Sequence, residues 1–136
     1  VRHLNRSVAC DLENRLIYGQ PRTVPRVGDP TPLRAEIASY SLVNGEDLTW
    51  IRLPEDDFYA GGMTMIPGGR LLLATGSQLS IFEPSTGSLV PHVDLAYTGI
   101  RNIAGLAFHP ESGRVSVLDE RTRRLHTLSA AEVNLP

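Results

Sequence analysis

The 136 residues predict an all-β fold made of consecutive four-stranded antiparallel meanders, and three observations carry that expectation. A block of small and apolar residues, closed by a Pro/Gly turn and an Arg, recurs at a fixed spacing. The apolar runs are short, and Gly, Pro, Asn and Asp bound them, which is strand-and-hairpin chemistry. Helical character is confined to Ala130 to Val133, at the end of the sequence.

The repeat is clearest in two stretches. Gly62-Met63-Thr64-Met65-Ile66-Pro67-Gly68-Gly69-Arg70 precedes Leu71-Leu72-Leu73-Ala74, and Gly105-Leu106-Ala107-Phe108-His109-Pro110-Glu111-Ser112-Gly113-Arg114 precedes Val115-Ser116-Val117-Leu118. Gly62 and Gly105 are 43 residues apart, as are Pro67 and Pro110. That period matches the roughly 40–45 residues of a β-propeller blade. A more diverged copy runs from Ser7 to Arg15 and continues as Leu16-Ile17-Tyr18-Gly19.

Each element follows from this grammar. First strands are small because they line the crowded centre of a ring. Second strands are apolar throughout because both their faces are covered. Third strands alternate over Ala35–Val43, Gln78–Glu83 and Arg124–Leu128. Asn44-Gly45-Glu46-Asp47 and Pro84-Ser85-Thr86-Gly87 supply hairpin turns. Fourth strands are expected over Leu48–Leu53 and Ser88–Leu95, while the third unit runs out at Ala130–Pro136. The chain thus reads as one segment, residues 1–136, of three blade-like units at about 5–54, 58–97 and 102–136, with Val1–Leu4 as a detached outer strand. A β-sandwich or barrel is the alternative, since it also uses short strands at close spacing.

Composition limits the chemistry. The net charge of −2 argues against a general nucleic-acid binder, which needs many basic contacts to phosphate. No apolar run approaches the roughly 18 residues of a membrane span, and nothing at the start reads as a signal peptide. The compartment stays open. All 13 basic residues are Arg, which suits a GC-rich bacterial coding source and excludes any lysine-based nucleophile or phosphate cradle in this segment. A single cysteine, Cys10, excludes an internal disulfide; its strand setting predicts a buried structural thiol. The four histidines, His3, His92, His109 and His126, are scattered without metal-binding spacing.

The stretch Asn102 to Arg114 resembles blade openings of six-bladed propellers of the NHL, YWTD and gluconolactonase-like kinds. That resemblance implies a ring larger than three blades, completed by the rest of a longer chain or by further copies of this one; left open, the outer blades would expose apolar surface such as Leu71, Leu73, Val115 and Val117. YWTD blades carry Tyr-Trp-Thr-Asp in the second strand, and of the matching slots only Asp119 agrees. Gluconolactonase-like enzymes place Asn or Asp metal ligands just before the Gly that opens a blade. The equivalent positions, Arg6, Gly61 and Ala104, offer no such oxygen, so no metal and no cofactor is expected.

In such a ring the loops after the second and fourth strands gather on one face. The ligand-binding candidates there are Arg22, Arg26, Asp56, Asp57, Tyr59, Tyr97, Arg101, Asn102, Asp119 and Arg123. The tyrosines alternatively close gaps between blades, the Glu55-Asp56-Asp57 run alternatively forms a solvated acidic loop, and the arginines alternatively serve solubility. The loop Pro21 to Pro32, stiffened by Pro21, Pro25, Pro30 and Pro32, is the best pointer to specificity. No catalytic residue emerges. The expected function is a non-enzymatic recognition or scaffold segment for a protein or carbohydrate partner. The alternative is part of a gluconolactonase-like, metal-dependent hydrolase.

Overall fold

The computed structural model describes residues 3–23, 35–55 and 58–136. Within these residues eleven strands form three antiparallel sheets, each a simple meander. The first sheet contains β1 (His3–Asp11), β2 (Leu16–Thr23), β3 (Glu36–Ser41) and β4 (Asp47–Arg52). The second contains β5 (Gly62–Ile66), β6 (Arg70–Thr75), β7 (Gln78–Glu83) and β8 (Ser88–Asp94). The third has only β9 (Ile103–His109), β10 (Arg114–Asp119) and β11 (Arg124–Leu128), followed by a one-turn helix, α1 (Ala130–Val133). A 3-10 turn over Leu95–Thr98, unforeseen in the sequence, joins the second and third sheets. Among the described residues no helix is long and apolar enough to cross a membrane.

These sheets are blades of β-propeller type. Their first strands, β1, β5 and β9, lie side by side, and the sheets stack face against face. The middle blade makes the logic visible. Successive strand side chains point to opposite faces, so Leu71 and Leu73 join Ala9, Tyr18, Ile37 and Phe82 in a core against the first blade. Leu72 and Ala74 turn the other way, into a core with Ile103, Val115, Val117 and Leu128 of the third blade. Leu71, Leu72, Leu73 and Ala74 are all fully buried, and each buried Leu contributes on the order of 1.5–3 kcal/mol.

Small residues at the centre have a steric cause. A Cβ on Gly61 would run into the Ile103 carbonyl, and one on Gly62 would come within 2.8 Å of Leu106 Cβ. The inner strands could not approach this closely around larger side chains.

Three expectations need correction. Leu71, Leu73, Val115 and Val117 do not form the uncovered sides of the outer blades; every one is fully buried, because β6 sits in the middle blade and the β10 valines face it. On the faces that meet no further blade among the described residues, the exposed large apolar side chains include Val8 (55% exposed) on the first blade and Leu118 (43%) and Leu125 (68%) on the third. Cys10 is exposed, not buried, since it shares the free face of β1 with Val8 while Ala9 points inward. His3 and Leu4 are not a detached outer strand but continue β1, opposite Thr23 and Arg22 of the same sheet. Val1 and Arg2 lie outside the described residues.

Candidate functional site

The connections that follow second and fourth strands meet at one end of the blades, and the described part of that end is tied down by short bonds. Gly61 N–H donates to the Ala74 carbonyl at 2.7 Å, Leu95 N–H to Ser77 at 2.8 Å, and Ile103 N–H to Gly76 at 2.8 Å. Each inter-blade linker is thereby fixed to the β6–β7 region of the middle blade. Loops gain definite surfaces this way, without needing length of their own.

Two polar side chains of second strands complete the lashing. Gln20, buried within β2, donates to the Phe58 carbonyl and accepts from Ala60 N–H, both at 2.6 Å. Asp119, fully buried at the end of β10, accepts from Asn102 N–H at 3.1 Å, Arg101 N–H at 3.4 Å, Arg121 N–H at 3.2 Å and the Thr122 hydroxyl at 2.9 Å. Burial opposes the charge of this carboxyl, but the hydrogen bonds from Asn102, Thr122, Arg121 and Arg101 outweigh it and hold the group below the usual carboxylate range. Asp119 is therefore spent on positioning the loops.

Around it the sequence candidates separate. Asp119 brings Arg101 and Asn102 together with the β10–β11 turn, and Asn102 also donates from its side chain to Glu120 at 3.0 Å. Arg101, Asn102, Glu120, Arg121 and Arg123 are all exposed. Arg123 holds a left-handed backbone (φ 58°), a conformation that costs a non-Gly residue roughly 1–2 kcal/mol. Tyr97, 67% exposed, stands on the 3-10 turn of the adjoining linker. That turn is capped by Asp94, whose carboxyl is lowered by hydrogen bonds from the Ser77 hydroxyl and Ala96 N–H. Tyr59 is half-buried on the preceding linker. Arg22 lies in β2, opposite Leu4. Arg26, Asp56, Asp57 and the prolines Pro25, Pro30 and Pro32 lie outside the described residues; Pro21 is a buried residue of β2.

Gly61 and Ala104, two of the positions matching metal ligands in gluconolactonase-like enzymes, border a recess of about 160 Å³ at the mouth between the inner strands. Ser7, Val8, Gly62, Met63, Gly105 and Leu106 complete its described lining, so its side chains carry one hydroxyl and no charged group. That hydroxyl already donates to the Ala60 carbonyl at 2.9 Å. Among the described residues no group of three or more His, Cys, Asp or Glu is placed to hold a metal ion.

Two larger clefts, which sequence reasoning missed, open at the opposite end, between the first-hairpin turns. One, of about 350 Å³, is bordered by Cys10, Asp11, Met65, Phe108 and Pro110. The other, of about 480 Å³, lies between the first two blades beside Leu16, Tyr18, Ile51 and Glu83. The Tyr18 hydroxyl is pushed up by burial and by the nearby Asp11 charge. His109 also sits at this end, exposed and bonded to the Ser116 hydroxyl at 2.8 Å. Clefts of this kind arise where neighbouring turns splay apart, a property of packing that no local motif encodes.

No family model matches the chain. No curated protein matches it either. Among solved structures it is similar to one described as "YCF48 bound to D1 peptide", at 17% identity and a TM-score of 0.39. The match covers 97% of this chain and 55% of that one, so the chain spans about half the length of that structure.

Proposed function

We propose that the chain is a non-catalytic recognition segment that binds a protein partner across the loop end of its blades. The reading takes the three blades as an arc of a six-bladed ring, completed by a longer chain or a second copy. One observation carries it: Tyr97, Arg101 and Asn102 are exposed on the linker between the second and third blades and Arg123 on the β10–β11 turn, segments that hydrogen bonds to Asp119, Ser77 and Gly76 tie down. Aromatic and arginine side chains presented with little conformational freedom are the usual anchors of protein interfaces. The central recess at this end holds only about 160 Å³, well below the size of ordinary small-molecule sites, which favours contact with an extended surface.

The test is a comparison of variants in partner capture. Tyr97→Ala with Arg101→Ala should lose the partner that the unaltered chain retains from its own cell extract. Glu13→Ala with Ser112→Ala, at the opposite end, should keep it. Capture that survives the first pair, or that glycosidase treatment abolishes, rejects a protein-binding loop end.

A further inference from the structure

The cleft of about 350 Å³ at the turn end of the blades has room for a small ligand, unlike the recess between the inner strands. Residues 10–14, 65–69, 108 and 110 border it, so the first hairpins of all three blades build it from described residues. Each hairpin supplies something different. Gly68 and Gly69 turn at φ 87° and 70°, a conformation that favours glycine, and they add no side chain to the wall. Met65 and Phe108 are half-buried, each packed against an inter-blade core, and Pro110 adds an exposed ring.

The first blade contributes the charge. Asp11 lies two residues beyond Ala9, on the strand face that packs toward the second blade, and is only 8% exposed. One of its carboxylate oxygens accepts from Asn14 N–H at 3.2 Å and the other from the Asn14 side-chain amide at 2.9 Å. Both donors are neutral, so they orient the group without cancelling its charge. That charge reaches into the fold: the Tyr18 hydroxyl is pushed up by burial and, in addition, by Asp11. Glu13, exposed on the same turn, is the other charged residue of the described lining. A carboxylate so shielded from water gains more from a nearby cation than a solvated one does.

We propose that this cleft binds a small organic amine, its protonated nitrogen against Asp11 and Glu13 and its apolar body against Met65, Phe108 and Pro110. An anion would be repelled by both carboxylates. A neutral apolar molecule would leave the Asp11 charge unanswered, and a hydrated metal ion would leave the apolar wall unused. The site stands at the opposite end from Tyr97 and Arg101, so its occupancy and the capture of a partner at the loop end are measured independently.

Cyclohexylmethylamine and cyclohexylmethanol share a shape and differ in charge at neutral pH, and titrating each against the chain by amide NMR tests the proposal. The amine should saturate shifts within residues 10–14 and 65–69 at a concentration at least about tenfold below that of the alcohol. Added salt should weaken the amine alone, and cyclohexanecarboxylate should leave those signals in place. Asp11→Asn, which keeps an oxygen for Asn14, should bring the amine down to the level of the alcohol. Glu13→Gln, on the exposed side of the turn, should weaken the amine by a smaller factor. Equal affinity for amine and alcohol would overturn the proposal, as would shifts confined to other residues or no saturation at millimolar amine. An acetylated and amidated lysine that binds as tightly as the amine would assign the cleft to a protein side chain, and would overturn it too.

Discussion

Asp119 is the residue on which the loop end turns, and its chemistry predicts a pH signature. Its carboxyl is held below the ordinary value in the folded chain, so folding favours the charged form. The stability this contributes is present above the unfolded carboxylate pKa of about 3.9 and is lost as pH falls through the folded value. The unfolding midpoint in urea should therefore drop on acidification below about pH 4. Asp119→Asn should lower the midpoint at neutral pH and flatten the acid limb; an unchanged acid limb would mean that other carboxylates govern it. Gly61 gives a second prediction at this scale. Gly61→Ala drives a methyl group into the Ile103 carbonyl and should cost about 1–3 kcal/mol in denaturant titration. Gly45→Ala, with no atom within 4 Å of the added methyl, should cost only the roughly 1–2 kcal/mol of its left-handed backbone. The importance of Asp119 was partly visible in the sequence, as the one match to a second-strand aspartate. Its role as a buried acceptor of backbone N–H groups was not, because the donors come from a linker 17 and 18 residues away.

At the scale of elements, the strands were legible because period-2 patterning and Gly/Pro turns act locally. The Leu71–Ala74 run announced a strand covered on both faces, and β6 is one. Which faces stay open was not legible. Val8 and Cys10 alternate with Ala9 as they would in any strand, and only the absence of a blade on their side among the described residues exposes them. Position in the stack therefore sets the cost of a substitution more than residue type does. Leu73→Ala, in the core between the first two blades, should destabilise by about 2–5 kcal/mol. Leu125→Ala, on the free face of β11, should stay within about 0.5 kcal/mol of the unaltered chain. Equal losses at the two sites would mean that β11 is covered in solution.

For the whole molecule, exposed apolar side chains on the outer faces of the first and third blades predict association. Val8 on one, and Leu118 and Leu125 on the other, belong to two different surfaces, so copies would meet head to tail. Sedimentation velocity of the 136-residue chain should show a weight that rises with concentration, and Leu118→Glu with Leu125→Glu should suppress that rise. A concentration-independent monomer would show that three blades suffice alone. The shared core between the first two blades also has a consequence in time. It runs from Ala9 to Phe82, so the first sheet has no partner for its inner face until the second is largely synthesised. At roughly 5–20 residues per second, a ribosome holds the nascent chain in that state for several seconds. During that interval Tyr18, Ile37 and Leu53 have no second blade to pack against, which makes the half-made first blade a natural client for a chaperone waiting at the tunnel exit.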